Sequence, residues 1–316
     1  MALSVNQQAS AASREGFESV TLSSPDGGTQ ADFVPAANML CSSLRHHGAE
    51  ILDRGSGVGA YAHRGTTMGI PLLHPWANRL AGFDYAAAGK HVSLQRATGL
   101  IPTDERGLPI HGVLPALMRW EVGERQPDAL SAVLRWTSSQ LLELFPFEHQ
   151  LRIETQIGRG QLRIATTLYA TGKDSVPVCF GYHPYLRLRD APRGTWRVTL
   201  GAFRRLVLDE DMIPTGEREP IERRSLYLED ASLDDGFDAL SVPAAFEAAA
   251  GNVTLTVEFV EGFSYAQVYA PRGKDYVCFE PMTAPANALR SGDGLRIVGP
   301  GELHRTAFTI SIRQSA

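Results

Sequence analysis

The sequence is poor in the features that mark membrane proteins, nucleic-acid-binding proteins and disulfide-bonded secreted proteins. Its 316 residues include three cysteines, and 30 Lys and Arg stand against 35 Asp and Glu. A net charge of −5 lacks the basic excess that nucleic-acid binding usually requires. No apolar run approaches the roughly 20 residues that span a bilayer. We therefore expect a soluble protein whose partners include neither nucleic acid nor membrane.

The cysteines and the N-terminal sequence indicate a reducing compartment. Cys41, Cys179 and Cys278 are too scattered for a zinc site or a disulfide framework. The first residues lack the basic start and apolar stretch of a signal peptide. We expect a cytoplasmic protein with buried, unpaired cysteines and no metal. Residues 1–20 form a polar tail whose composition is compatible with disorder.

Hydrophobic alternation with a period of two dominates the rest of the chain. In LRIETQI apolar and polar residues alternate, and the alternation resumes after GRG in LRIATTLY, which predicts a β-hairpin. VTLTVEFV and FTISIRQ show the same pattern, whereas no long stretch has a helical period. Turn signals recur throughout, without a linker-like change in composition. The pattern predicts one all-β domain over residues 21–316, a large β-sandwich or a barrel-like sheet structure.

A histidine stands where a buried strand is predicted to end, in GYHPYLRL (residues 181–188). The following proline favours extended backbone at His183, and the flanking tyrosines could wall in the imidazole. A histidine at a strand end is more often a satisfied polar residue than a catalytic one, so this position needs a partner. Glu280 follows the apolar DYVCF and also precedes a proline. It is either a partly buried base or a solvated residue at a strand end.

Three further clusters combine side chains that suit sugar hydroxyls. HPWANRLAG contains Asn78 and Arg79 beside a tryptophan, LPIHGV contains His111, and LDDGFD contains three acids around an aromatic residue. Amide, guanidinium, imidazole and carboxylate groups fix hydroxyls, and an aromatic face packs against a sugar ring. LDDGFD is also compatible with a simple turn or a calcium site, although it lacks the EF-hand pattern.

Eight segments, in order, resemble the aldose 1-epimerase (galactose mutarotase) family. They are GIPLLHPWANRLAGFDYAAAGKHVSL, IHGVLPALMRWEV, FPFEHQLRI, VPVCFGYHPYLRL, DMIPTGE, LDDGF, CFEPMTAP and VGPGELHRTAFTI. The resemblance extends from about residue 30 to the C-terminus. It implies the large antiparallel β-sandwich of that family, a small sugar as the partner, no cofactor, and a monomer or homodimer.

The resemblance also implies roles for individual residues. It makes His183 the general acid and Glu280 the general base. It implies a substrate-binding set consisting of Asn78, Arg79, His111 and Asp234. Asp235 is a rival for the position of Asp234, since the two are adjacent. An ionised Glu280 is expected to raise the pKa of the His183 imidazole and favour its acid form.

These residue types suit an aldose 1-epimerase that acts on a free hexose such as galactose or glucose. Glu280 would take the proton of the C1 hydroxyl while His183 protonates the ring oxygen, and the transfers would reverse after rotation about C1–C2. One alternative is a sugar-phosphate mutarotase acting on a hexose 6-phosphate, which needs clustered arginines such as Arg64, Arg79 and Arg119. Another is a non-catalytic sugar-binding protein on the same fold. The presence of both an acid and a base argues for catalysis.

Overall fold

The computed structural model of the protein describes residues 13–14 and 16–315. The tail predicted for residues 1–20 lies mostly outside the described residues. At its end, Phe17–Glu18 forms a short strand, and the next strand begins at Val20.

Strands make up most of the secondary structure. In chain order they are β1 (Ser13–Arg14), β2 (Phe17–Glu18), β3 (Val20–Ser23), β4 (Thr29–Val34), β5 (Leu40–His46), β6 (Ala49–Glu50), β7 (Leu72–Leu73), β8 (Asp84–Ala87), β9 (Lys90–Ser93), β10 (Trp120–Arg125), β11 (Ala129–Trp136), β12 (His149–Gly158), β13 (Gln161–Ala170), β14 (Val176–Val178), β15 (Gly181–Tyr182), β16 (Tyr185–Leu186), β17 (Arg197–Leu200), β18 (Phe203–Leu208), β19 (Pro214–Ile221), β20 (Arg224–Tyr227), β21 (Leu233–Asp238), β22 (Ala244–Ala250), β23 (Val253–Glu261), β24 (Tyr265–Ala270), β25 (Val277–Met282), β26 (Arg296–Val298) and β27 (Leu303–Gln314). The α-helices are α1 (Val58–Arg64), α2 (Ser139–Leu144) and α3 (Ala288–Ser291), and 3₁₀ turns occur at Pro35–Ala37, Gln95–Leu100, Pro115–Leu117 and Arg193–Thr195.

Two large antiparallel sheets pack face to face. The first has nine strands in the order β10-β11-β12-β13-β27-β23-β22-β17-β20. The second has the order β19-β18-β21-β24-β25-β15-β7, with β16 also paired to β25. Rings from the two sheets meet between them: Phe246 lies 5.6 Å from Phe279, and Tyr182 lies 5.0 Å from Phe308, between centroids. This arrangement is the predicted antiparallel β-sandwich.

The hairpin predicted around GRG is present. Strands β12 and β13 pair in register from Gly158 opposite Gln161 to His149 opposite Ala170. Burial alternates along β12 as expected from its sequence. On β13 the alternation breaks, because the outward-facing Ala165 and Thr167 are also buried, Thr167 between arginines of the two neighbouring strands.

The helices are short and lie in connections between strands. The Gly-rich GSGVG leads into α1, whose first residue Val58 follows Gly57 with a φ of +93°. A helix of seven residues is too short to show a clear period in the sequence. The three cysteines are buried and unpaired, as expected. No helix in the described part of the chain is long and apolar enough to cross a membrane.

Arg193 ties together the connections at one end of the second sheet. Its guanidinium donates hydrogen bonds of 2.7–3.2 Å to six backbone carbonyls, which belong to residues 228, 229, 231, 270, 271 and 274. Burial lowers the pKa of this guanidinium, but arginine stays protonated in proteins. The cation therefore holds the connection between β24 and β25 against the segment before β21.

We expect Arg193→Met to lower the free energy of unfolding by about 3 kcal/mol or more, because six backbone carbonyls, two of them on buried residues, lose a charged donor together. The exposed Arg197, four residues further on, provides the matched control Arg197→Met, expected to change stability by less than about 0.5 kcal/mol. Urea unfolding of both variants measures the difference. Equal effects in the two variants would show that Arg193 does not hold these connections.

Candidate functional site

A cavity of about 730 Å³ opens beside the second sheet, where strand residues meet loops near residues 64–67, 102–106 and 212. Its size falls within the roughly 300–1,000 Å³ typical of small-molecule sites. The structure brings together in its lining all six residues singled out from the sequence, namely Asn78, Arg79, His111, His183, Asp234 and Glu280. Arg64 also lines it, whereas Arg119 is exposed and does not.

His183 and Glu280 are in direct contact in the wall of this cavity. The His183 Nε2 atom lies 3.2 Å from Glu280 Oε1, and the two residues are 4% and 1% exposed. His183 follows β15 and Glu280 belongs to the adjacent β25, with Gly181 opposite Met282. The strand predicted to end near Glu280 continues to Met282, so the carboxyl group is more deeply buried than a strand-end residue.

Aromatic contacts fix the plane of the His183 ring. The ring of Tyr185 stacks on it at 4.4 Å with an angle of 5°, and His111 meets it edge-on at 5.4 Å. Only one of the two flanking tyrosines walls in the imidazole, because adjacent residues of extended chain point to opposite sides. The Tyr182 hydroxyl instead pairs with Thr166 at 2.5 Å.

Burial controls the protonation of the pair. It lowers the pKa of His183 well below its usual value, and the nearby His111 acts in the same direction. It raises the pKa of Glu280 well above its usual value, reinforced by Asp234 and opposed by Arg79. The predicted rise in the imidazole pKa is therefore wrong, because burial disfavours the charged form of both groups and Glu280 is not ionised. The favoured forms are a neutral imidazole and a protonated carboxyl group that can donate to it.

Asn78 and Arg79 are held by residues of the neighbouring loops. Arg79 Nε pairs with Asp104 Oδ2 at 2.8 Å, and the Asn78 Oδ1 atom accepts the backbone N–H of Arg79 at 2.8 Å. The backbone N–H of His111 donates to the Asn78 carbonyl at 3.0 Å, so the segments that carry Asn78 and His111 are joined. Both Asn78 and His111 have a left-handed backbone, with φ of 57° and 62°.

The HPW segment before this pair is anchored in the core. His74 Nε2 lies 2.9 Å from His149 Nε2, and His149 Nδ1 lies 2.7 Å from the Phe147 carbonyl. A carbonyl only accepts, so His149 donates from Nδ1 and accepts from His74. Burial lowers the pKa of His149 to about 4 and keeps both rings neutral. Gly112 passes so near that a Cβ there would lie 2.0 Å from the His74 carbonyl oxygen, which explains the glycine after His111.

The three acids of LDDGFD point to different surroundings. Asp234 lines the cavity, and burial raises its pKa. Asp235 faces the opposite side of β21, where it lies 3.5 Å from Arg205. Asp238 pairs with the guanidinium groups of Arg204 and Arg218. The described residues contain no group of three or more His, Cys, Asp or Glu that could hold a metal ion.

Gln267 is a cavity residue that the sequence analysis missed. It lies opposite Glu280 in the register of β24 and β25, and its Nε2 donates to Asp234 Oδ1 at 2.6 Å. A glutamine in YAQVYA carries no motif of its own. Its position becomes informative only when the register of its strand with the Glu280 strand is known.

The two buried groups give opposite pH dependences of stability. Above about pH 4.3 the unfolded chain releases the Glu280 proton that the folded protein keeps, so stability contributed by this group is lost as pH rises. Below about pH 6.5 the unfolded chain protonates His183 while the folded protein does not, so stability is lost as pH falls.

We therefore expect the unfolding free energy of Glu280→Gln, relative to the parent, to increase with pH by up to about 1.4 kcal/mol per unit between pH 5 and 8. For His183→Asn, the unfolding free energy relative to the parent increases as pH falls from 6.5 to 5. Urea unfolding across this range measures both slopes, with the exposed His91→Asn as control. Parallel slopes in the two variants would contradict the opposite pKa shifts.

Comparisons with known proteins agree with this fold. The model of the family described as aldose 1-epimerase matches residues 40–311. The uncharacterized protein YihR of Escherichia coli K12 is 23% identical over 308 residues, which cover 86% of this chain and 94% of that protein. A galactose mutarotase-like protein from Clostridium acetobutylicum has a TM-score of 0.81 at 18% identity, covering 95% of this chain and 96% of that chain. A second galactose mutarotase-like protein, from Lactobacillus casei, has a TM-score of 0.73 at 17% identity, covering 93% of this chain and 100% of that chain.

Proposed function

The chain belongs to the aldose 1-epimerase family, and from this premise we propose that it interconverts the α and β anomers of a free aldose, a hexose such as galactose or glucose. The observation that carries the proposal is the buried contact of 3.2 Å between His183 and Glu280 in the cavity wall. A protein that only binds sugar has no need of an acid and a base within reach of each other. The pair therefore favours catalysis over binding alone.

The reaction needs two proton transfers in each direction. Glu280 takes the proton of the C1 hydroxyl while His183 gives a proton to the ring oxygen, and the C1–ring oxygen bond breaks to leave an open-chain aldehyde. Rotation about C1–C2 then presents the other face of the carbonyl. The reverse transfers close the ring as the opposite anomer, so the protein ends with the protons it started with.

Burial favours the proton arrangement of the opened sugar. For ring opening the pair must first become a carboxylate and an imidazolium, by transfer of the Glu280 proton to His183 across their 3.2 Å contact, and opening returns it to a carboxyl group and a neutral imidazole. The second arrangement is the one that desolvation favours at Glu280 and His183. Ring opening thus restores the resting protonation of the pair, and the free energy needed to ionise the pair is part of the activation barrier.

Four neighbours are proposed to hold the sugar, namely Asn78, Arg79, His111 and Asp234. Arg79 is positively charged and His111 neutral, because burial and the adjacent guanidinium lower the pKa of His111 to about 3. Their N–H groups suit an oxygen that gains negative charge as its bond to C1 breaks. Gln267 orients the Asp234 carboxyl group through its 2.6 Å hydrogen bond.

A sugar phosphate is the second candidate substrate, favoured by Arg64 and Arg106 in the cavity lining. A phosphate clamp needs guanidinium groups that are not already bound to carboxylates. Arg79 is engaged by Asp104, and Arg119 lies outside the lining, so only the exposed Arg64 and Arg106 remain for a phosphate group. The cavity therefore favours the free sugar.

We expect the protein to accelerate the change in optical rotation of freshly dissolved α-D-glucose or α-D-galactose. His183→Asn and Glu280→Gln should each lower kcat by roughly 10²–10⁴-fold, since each removes one proton-transfer group. The exposed His91→Asn should leave kcat unchanged.

Each contrary result has a separate meaning. If the parent is inactive on free sugars and active on glucose 6-phosphate, the sugar-phosphate candidate replaces the free aldose. If it accelerates neither, the catalytic proposal fails. Full activity in both variants would refute the assignment of the acid and the base.

The adjacent aspartates provide a matched test of sugar binding. Asp234→Asn should raise KM about tenfold, because a carboxylate that accepts sugar hydroxyls is replaced by a weaker acceptor. Asp235→Asn should change KM less than about twofold, because that carboxylate faces Arg205 outside the cavity lining. Equal KM values in the two variants would remove Asp234 from the binding set.

A further inference from the structure

Two turns on the rim of the cavity have the same hydrogen-bond pattern. In the first, Asp104 Oδ1 accepts the backbone N–H groups of residues 106 and 108, each at 2.9 Å. In the second, Asp209 Oδ1 accepts those of residues 211 and 213, each at 2.9 Å. Two backbone bonds match as well: each aspartate N–H donates to the fifth residue of its turn, and each aspartate carbonyl accepts from the fourth. The turns are thus two copies of one local structure.

The two turns differ at the fourth position, which has a left-handed backbone in both. Gly107 occupies it in the first turn, with a φ of 80°. Met212 occupies it in the second, with a φ of 62°. This conformation is readily adopted by glycine and unfavourable for a residue with a Cβ. The first turn therefore shows which residue the backbone prefers, and Met212 departs from it.

The side chain of Met212 has no packing role in the core that explains the departure. It is half-buried and lines the cavity. Within the described residues, it belongs to none of the three buried apolar clusters and is not among the residues packed against them. The neighbouring contact between Arg106 and Asp211 is exposed and 3.8 Å long, so it contributes little to holding the turn. The Met212 side chain therefore contributes to the surface of the cavity rather than to the core.

We propose that Met212 is a substrate-contacting residue, whose thioether side chain packs against the C–H groups of the bound aldose. The inference rests on the proposed function. Polar groups such as Asn78, Arg79 and Asp234 suit the hydroxyls of a sugar, whereas its C–H groups need an apolar surface. Methionine is flexible and polarizable and adapts to such a surface. An unfavourable backbone at a ligand contact is a common association in proteins.

The test separates the side chain from the backbone. Met212→Gly should raise KM about 3- to 10-fold with kcat within twofold, because it removes a contact made equally in the bound sugar and the transition state. It should also raise Tm by about 1–3 °C, since glycine relieves the left-handed strain. Met212→Ala should raise KM similarly without raising Tm. Met212→Leu should keep KM near that of the parent.

Ala88 supplies the matched control, because it is an exposed residue with a φ of 45° that does not line the cavity. Ala88→Gly should raise Tm and leave KM unchanged. An active parent whose KM is unchanged in Met212→Gly and Met212→Ala overturns the role of Met212 alone. A parent that accelerates no aldose overturns the proposed function together with the contact. A raised KM in Met212→Leu equal to that of Met212→Ala would also contradict an apolar contact.

Discussion

The site depends on a carboxyl group and an imidazole held in contact where water is excluded. Desolvation, rather than attraction between charges, decides how His183 and Glu280 share their proton. Such a contact requires a scaffold that does not relax to admit water. Adjacent strands of the second sheet supply it, since the register of β15 and β25 fixes where both side chains lie. Arg193 then fixes the connection that leads from β24 to β25.

The cavity combines this rigid wall with a rim made of loops. The wall residues Glu280, Gln267 and Asp234 lie on three neighbouring strands. The loop carrying Asn78 and Arg79 reaches the cavity from another direction, and its position depends on the neutral histidine pair buried behind it. Glu280 thus lies on a strand that is paired on both sides, and His183 follows the neighbouring strand β15, whereas the rim consists of turns between strands.

The sequence was sufficient for the fold class and for six of the residues that line the cavity. Period-two alternation predicted the hairpin around GRG, and His183 and Glu280 stood out because ionisable residues interrupt apolar strands. Gln267 could not be found, since strand register is a long-range property. The predicted direction of the His183 pKa shift was wrong for a related reason. The charge of a neighbouring residue can be predicted from the sequence, but the extent of burial cannot. The choice between Asp234 and Asp235 likewise needed the orientation of β21 relative to the cavity.

The neutral state of the buried pair has a consequence for recognition. On the proposed mechanism, a neutral imidazole beside a protonated carboxyl group is the proton arrangement that accompanies the open-chain aldehyde. In its resting state the protein therefore has the protonation that accompanies the open-chain aldehyde, which is the least abundant form of an aldose in water. The abundant cyclic forms react only after the protonation of the pair has changed. Contacts with the bound sugar away from C1 must therefore supply the free energy that ionises the pair, which is one way in which binding energy is converted into rate.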